Sequence, residues 1–346
     1  MKKQLIVGLV TACVMALSLS LYADFNSLLT KVPANSQWIV CIDSKQAEPA
    51  FEFLMDSIEK IIPEDKKQEF REARDNGKKA KARLDEKFGL NDDSQPCMCF
   101  FGDSMSFDMK NFLILSETSI PEETIVKKFS AKLDDTKTSS GMKLYFAPVS
   151  IFIEPAVACA DKTNTIVFNG NDNFYFAYLD PKTVISSFNK DSVLSYLGKI
   201  GGITPVKFFG QESLSKNPVL WLGTNIMVKD NNEFEPKAQC KGASLTVSFD
   251  PSAKNILVDC NAEMLDMQTA QMIVSTGNSY CNMALGANSA VLGNKIKLEA
   301  QAEKVSASIK IDEEFLKVMA DSWKAKKEAM QMKQVNNDGL TIEHKN

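Results

Sequence analysis

Histidine is almost absent from this chain, whose 346 residues include only His344, close to the C terminus. Histidine is the usual general base near neutral pH and a common metal ligand. A Ser-His-Asp triad, a Cys-His pair or an HExxH zinc site would each have to use His344, which lies in a polar tail. We therefore predict no catalytic, metal-binding or cofactor-binding residue, and no cofactor.

Phosphate-binding loops and serine-hydrolase motifs are missing as well. Gly198, Gly201 and Gly202 follow a predicted helix, whereas a phosphate-binding loop follows a strand. The segment 102–106 begins like a GxSxG motif but lacks the final glycine. The Ser-x-x-Lys spacing of some acyl-enzymes recurs without its companion motifs, as chance would produce. It occurs at Ser57/Lys60, Ser140/Lys143, Ser187/Lys190 and Ser213/Lys216.

Basic residues are not in excess, since the formal net charge is −4. The N-terminal segment 1–23 carries two lysines and no acid, so the chain without it is near −6. Nucleic-acid binding requires a basic face, which this balance argues against. No apolar run after residue 23 is long enough to span a membrane. We predict neither a nucleic-acid partner nor a membrane span in the mature chain.

The N-terminal segment Met1–Ala23 has the three parts of a secretory signal peptide. Two lysines precede an apolar run over 5–21, and Ala23 meets Asp24 as a cleavage site would. This predicts export to the periplasm or the extracellular space. Two alternatives remain: an uncleaved anchor, and a lipoprotein anchored through Cys13 after Val10-Thr11-Ala12. The apolar stretch that would follow Cys13 argues against the second.

Seven cysteines follow the leader, at positions 41, 97, 99, 159, 240, 260 and 281. An odd number in an exported chain leaves at least one free or paired between chains. Buried thiols and one to three disulfides both remain open. Cys97 and Cys99 lie two apart on a predicted strand and would share a face, where they could bind a soft metal or be redox-active. Packing in the core is the preferred interpretation, since free cysteine behaves as a small hydrophobe.

Hydrophobic periodicity predicts alternating helices and strands. The predicted helices are 46–62, 64–88, 121–133, 181–197, 266–285 and 312–332, and the predicted strands are 38–42, 96–101, 111–116, 219–223, 255–258, 295–298, 304–311 and one starting at 142. A hairpin is predicted over 165–178, with its turn at Asn169–Asn173.

The second half repeats the order of elements of the first. Trp221 lies in an apolar strand as Trp38 does, and the strands at 111 and 255 are each followed by a helix. The sequence predicts an α+β fold with two related halves, each an antiparallel sheet with helices packed on one face. The predicted segments are a signal peptide at 1–23, a first half at 24–200 with a charged helical insertion near 64–88, a second half at 203–333, and a disordered tail at 334–346.

Other candidate sites have ordinary structural interpretations. Asp43, Asp103 and Glu117 lie at predicted strand ends, and paired carboxylates could hydrolyse glycosides. Asn169–Asn173 and Asp230–Glu233 could touch a cation but lack calcium-loop spacing. Alternating aromatic residues could line a ligand surface or form one face of the core: Phe174, Tyr175, Phe176 and Tyr178, with Phe168 opposite.

The order of elements resembles uncharacterised exported bacterial proteins with two ββα-rich halves. The residues that carry the resemblance are Val32-Pro33-Ala34 and the apolar strand from Trp38 to Asp43. It implies no activity and carries over no site residue. We expect an exported cell-envelope protein with a binding or structural role, whose partner is an unknown envelope protein or small ligand. The alternatives are a carrier for an apolar ligand held between sheet and helices, and a hydrolase using carboxylates or a Ser/Lys pair.

Overall fold

A computed structural model describes residues 25–88, 97–103, 112–150, 172–205, 207–216, 218–225, 240–285, 292–322 and 324. The predicted leader, the turn at 169–171, the segment 230–233 and the C-terminal tail with His344 lie outside these residues. None of the described helices combines the length and the apolar character needed to cross a membrane.

Helices and strands alternate along the described chain. The helices are α1 (Phe25–Leu29), α2 (Ser44–Ile61), α3 (Glu64–Phe88), α4 (Glu122–Lys128), α5 (Lys190–Lys199) and α6 (Met267–Leu285), with 3-10 turns at Ile200–Gly202 and Gln211–Lys216 and a further helical segment at 313–322. The strands are β1 (Trp38–Ile42), β2 (Met98–Gly102), β3 (Leu113–Glu117), β4 (Lys132–Leu133), β5 (Tyr145–Pro148), β6 (Asn173–Asp180), β7 (Thr183–Ser187), β8 (Leu220–Asn225), β9 (Cys240–Asp250), β10 (Asn255–Met264), β11 (Ile296–Gln301) and β12 (Lys304–Ile311).

All twelve described strands form one antiparallel sheet in the order β11-β12-β10-β9-β8-β1-β2-β3-β7-β6-β5-β4. The α+β class predicted from the sequence is confirmed. β1 lies near the centre, between β8 and β2, and its sequence Trp-Ile-Val-Cys-Ile is apolar at every position. A strand covered on both faces has such a continuous apolar run.

The helices form two layers. One row of paired residues crosses seven strands on a single face, through Val258, Val247, Leu220, Ile42, Met98, Ser116 and Val184. α2, α4 and α6 pack on this face, against clusters around Phe249, Phe176 and Val305. α1, α5 and the 211–216 turn pack on the opposite face around Cys41 and Leu115, which adds a second helical layer to the central strands.

The long helices follow their sequence signals. α2 begins after Asp43, whose carboxylate accepts a hydrogen bond from the Gln46 backbone N–H at 3.1 Å. α3 matches the predicted 64–88 helix, and its small buried seam includes Ala80, at 6% exposure. Ion pairs with α2 supplement this narrow apolar contact.

Three local predictions differ from the structure. The segment 181–197 was expected to be one helix, but Thr183–Ser187 is strand β7 and α5 begins only at Lys190. Thr, Val and Ile are β-branched and favour a strand, and all five residues of β7 are buried between β3 and β6. α4 ends at Lys128 rather than near 133, since Ser130 has a left-handed φ of 48°. β9 was not predicted at all.

Candidate functional sites

Three cysteine thiols meet in the centre of the sheet. Cys41 of β1 lies directly opposite Cys99 of β2, and their sulfur atoms are 2.9 Å apart. Cys97 lies two residues before Cys99 on the same face, and its thiol hydrogen-bonds with that of Cys99. All three are 0% exposed and belong to one apolar cluster. Sequence reasoning identified Cys97 and Cys99; it did not identify Cys41, because pairing of distant strands is not visible in one sequence.

The electrostatics differ among the three thiols. Burial raises the pKa values of the Cys41 and Cys97 thiols well above the ordinary value for cysteine. Burial also acts to raise the pKa of Cys99, but hydrogen bonds from Cys41 and Cys97 stabilise its thiolate and lower it. The hydrogen bond between Cys41 and Cys99 thus couples the protonation of these thiols, and burial keeps the group away from solvent.

The row of paired residues that contains Cys97 is otherwise polar. Because β1, β2, β3 and β7 are in register, Asp43, Cys97, Glu117 and Thr183 succeed one another across four strands at one end of the sheet. Lys31, from the end of α1, donates to Thr183 at 2.6 Å and to Asp180 at 2.7 Å. The structure thus brings Asp43 and Glu117 to the same end of the sheet.

Asp103 lies at the other end, because β2 runs antiparallel to β1 and β3. It lines a cleft of about 280 Å³ between the 33–36 segment, the end of β2 and α5. Asp191, Ser195 and Lys199 of α5 line the same cleft. This is a mixed polar surface, whereas a carrier of an apolar ligand needs a deep apolar cavity. The three acids singled out in the sequence do not converge on one site.

The Ser-x-x-Lys pairs are engaged elsewhere. Lys60 bonds with Glu313, and Lys190 bonds with Asp134 at 2.8 Å. Ser187 donates to the Phe112 carbonyl at 2.8 Å. Ser140 contacts Thr138, and Ser213 contacts Gly210 and Thr246, whereas the buried Ser57 hydroxyl has no hydrogen-bond partner among the described residues. These contacts stabilise loops and helix ends, and they do not form a nucleophile and its base.

The aromatic residues of β6 belong to the core. Phe176 is 1% exposed and stacks on Tyr145, with ring centroids 5.5 Å apart. Phe129, the residue after α4, packs edge-on against the ring of Phe176, with ring centroids 6.0 Å apart. Tyr175 lies on the opposite face and packs against the central cluster. These rings hold α4 on the sheet.

The surface of α6 combines two unusual properties. The 28 residues from 267 to 294 contain no Asp, Glu, Lys or Arg, in a chain that is 24% charged. Small side chains face the sheet: Ala270 is fully buried, and a Cβ at Gly277 would meet the Leu298 side chain. The large apolar side chains face outward, with Met272 at 54%, Tyr280 at 64% and Met283 at 71% exposure.

We call Met272, Thr276, Tyr280 and Met283 the outer face of α6, since their spacing of 4, 4 and 3 places them on one stripe. An amphipathic helix ordinarily places its large apolar side chains toward the core. The uncharged run is visible in the sequence, but the side of the helix that faces the sheet is not. The structure places Met272, Tyr280 and Met283 on the surface.

Among the described residues, no group of three or more His, Cys, Asp or Glu side chains is arranged to hold a metal ion. Comparison of the chain with protein-family models, with curated proteins and with solved structures finds no match. The functional proposals therefore depend on the side chains themselves.

Proposed function

We propose that this chain is an exported cell-envelope protein with a binding role, and that it binds a protein partner through the outer face of α6. The observation that carries the proposal is the inverted polarity of α6, with small residues against the sheet and Met272, Tyr280 and Met283 exposed. Contiguous apolar surface of this kind is typical of interaction sites. Methionine is frequent on such surfaces because its flexible thioether adapts to different partners.

The lack of charged residues on α6 indicates what kind of surface the partner presents to it. A charged partner side chain buried on this helix would lose hydration and find no opposite charge between residues 267 and 294. The partner surface is therefore apolar or neutral where it contacts α6. A membrane surface fits less well, since interfacial helices carry Lys or Arg on their polar face.

Photo-crosslinking in cells that export the protein tests this proposal. A benzophenone amino acid replaces Tyr280 in one variant and Leu133 in a matched control, which is 55% exposed and lies on β4 at the edge of the sheet. We expect a discrete protein adduct from position 280 and none from 133. Met283→Lys should abolish the adduct, whereas Met319→Lys, at a residue 41% exposed outside α6, should leave it.

Equal adducts from both positions, or an adduct at 280 that survives Met283→Lys, would reject the outer face as the binding surface. An adduct of twice the chain mass identifies a second copy as the partner. Unchanged thermal unfolding of Met283→Lys shows that the exposed substitution has not altered the fold.

Export rests on the leader at Met1–Ala23, and the N terminus of the mature protein tests it. Release predicts a chain beginning at Asp24. A chain that retains Met1 contradicts cleavage. A lipid-modified Cys13 replaces release with anchoring.

We also propose an internal duplication. What supports it is the strand order on the two sides of the β1/β8 pair: β1-β2-β3-β7-β6 on one and β8-β9-β10-β12-β11 on the other. The helix after β3 and the helix after β10 lie on the same face. The two tryptophans are not equivalent, because Trp221 pairs with Cys41 and Trp38 with Thr224, on opposite faces. An experimental structure in which the two sets of five strands do not superpose would contradict a duplication.

A further inference from the structure

We propose that Cys41 and Cys99 form a cross-strand disulfide bond when the chain folds in the presence of a disulfide oxidant, while the neighbouring Cys97 stays a thiol. The proposal does not depend on the binding role of α6. It rests on the register of β1 and β2, on the distance between the two sulfur atoms and on the position of Cys97.

The register places the pair at a favourable site. The Asp43 backbone N–H donates to the carbonyl of Val219, the residue before β8, so the alternate residues 39, 41 and 43 direct their peptide groups toward β8. Cys41 and Cys99 are therefore a non-hydrogen-bonded pair across β1 and β2, in which side chains approach most closely. The Cα separation of such pairs, about 4.5 Å, lies within the range that disulfides span.

The thiols themselves are positioned for the bond. Their sulfur atoms are 2.9 Å apart, and a disulfide bond is about 2.0 Å long. Around them the sheet is dry: Trp221, Leu115 and Ile185, the neighbours in the same row, are all 0% exposed. Such a site forms its disulfide during folding, before the helices close over the sheet.

Cys97 is the alternative partner that the strand geometry disfavours. It lies two residues before Cys99, on the same face of the sheet. The cross-strand pair fits disulfide geometry, whereas a bond between Cys97 and Cys99 would have to bend the extended strand.

The chemistry balances with one oxidant. The Cys41 and Cys99 thiols each lose a proton, an S–S bond forms between them, and two electrons pass to a disulfide oxidant. The S–S bond of that oxidant breaks and takes up the two protons to give two thiols.

Refolding tests the proposal on the chain without its leader. The protein is unfolded, refolded in a buffer of oxidised and reduced glutathione, then unfolded again and alkylated. Seven cysteines follow residue 23, so we expect five alkylated thiols and one bond. Peptide mapping should join Cys41 to Cys99. Reduction should then lower the melting temperature by roughly 5–10 °C, since the bond closes a long loop.

Two variants separate the alternatives. Cys97→Ala should keep the Cys41–Cys99 bond, and Cys41→Ala should leave Cys97 and Cys99 as alkylatable thiols. Seven alkylated thiols in the refolded native protein would overturn the proposal. Bonds found only at other cysteines would overturn it too, and both results come from the wild-type chain without any variant.

Discussion

The indole ring of Trp221 occupies the space that a side chain at Gly223 would need. A Cβ atom at residue 223 would lie 2.5 Å from Cη2 of the ring and 3.0 Å from the Cβ of Phe208. Phe208 meets Trp221 edge-on, with ring centroids 6.2 Å apart. The absence of a side chain at Gly223 thus leaves the room that the indole ring of Trp221 occupies.

Gly223→Ala should therefore destabilise the protein, because the indole ring and Phe208 cannot both keep their positions. We expect a loss of about 1–3 kcal/mol in the free energy of unfolding, as overpacked cores show. Gly201→Ala is the control, since nothing lies within 4 Å of a Cβ there. Urea unfolding measures both. Equal stability of the two variants would contradict this account of the packing.

Features contained within one helix could be predicted from the sequence, whereas features that depend on strand pairing could not. α3 was predicted at its observed bounds because its charges and small-residue spacing are contained within one helix. β7 was missed because Thr183–Ser187 lacks an alternating pattern, and its burial depends on β3 and β6. Cys97 and Cys99 were recognised as a pair, but Cys41 is separated from Cys99 by two helices and joins them only through strand pairing.

The inverted polarity of α6 shows the same limit. Helical spacing correctly predicted a helix over 266–285. Which side faces the sheet depends on β10, β11 and β12, which α6 contacts. Small residues at Ala270 and Gly277 permit a close approach that no single-helix pattern reveals.

Arg74 links α3 to α2. Its guanidinium bonds with Glu52 and, at 2.8 Å, with Asp56, and its side chain is only 15% exposed. Burial acts to raise the pKa of Glu52, but hydrogen bonds from Arg74 and Lys78 lower it overall. Removing the guanidinium would leave these carboxylates facing one another.

We predict that Arg74→Ala lowers the free energy of unfolding by about 1–3 kcal/mol. Arg71→Ala is the matched control: Arg71 is 55% exposed and bonds with Glu59 at 2.6 Å, so its loss should cost less than the loss of Arg74. Urea unfolding is the suitable measurement, because the denaturant guanidinium chloride is a salt and would screen these ion pairs. A control that costs as much as Arg74→Ala would show that burial of Arg74 is not decisive.

Asp43 caps the N terminus of α2, and its burial disfavours the charged form of its carboxyl group. It is 7% exposed, and burial raises its pKa although the backbone N–H groups of Gln46 and Lys45 act to lower it. Since the folded state holds the proton more tightly, the wild type gains stability as the pH falls through this raised pKa.

Asp43→Asn should remove that pH dependence while keeping the cap, because asparagine caps as well as aspartate. We expect unchanged or slightly higher stability at pH 7, and no gain on acidification. Asp43→Ala, which loses the cap, should be about 1 kcal/mol less stable than Asp43→Asn. Unfolding curves between pH 4 and 7 decide this, and a destabilised Asn variant with the wild-type pH slope would refute it.

Asp312 has the opposite pH response. Burial acts to raise its pKa, but hydrogen bonds from Lys295, at 2.6 Å, and from the Phe315 N–H lower it overall. A lowered folded pKa contributes stability above the unfolded value, about 3.9 for aspartate, and this stability is lost as the pH falls through the folded pKa. Asp312→Asn should lose about 1–2 kcal/mol at pH 7, and its difference from the wild type should shrink as the pH falls below the unfolded value and through the folded pKa. Asp135→Asn, at an exposed loop position, should follow the wild type throughout. Urea unfolding across this pH range measures the difference. If the gap between Asp312→Asn and wild type persists at the lowest pH, the carboxylate acts through packing rather than through its charge.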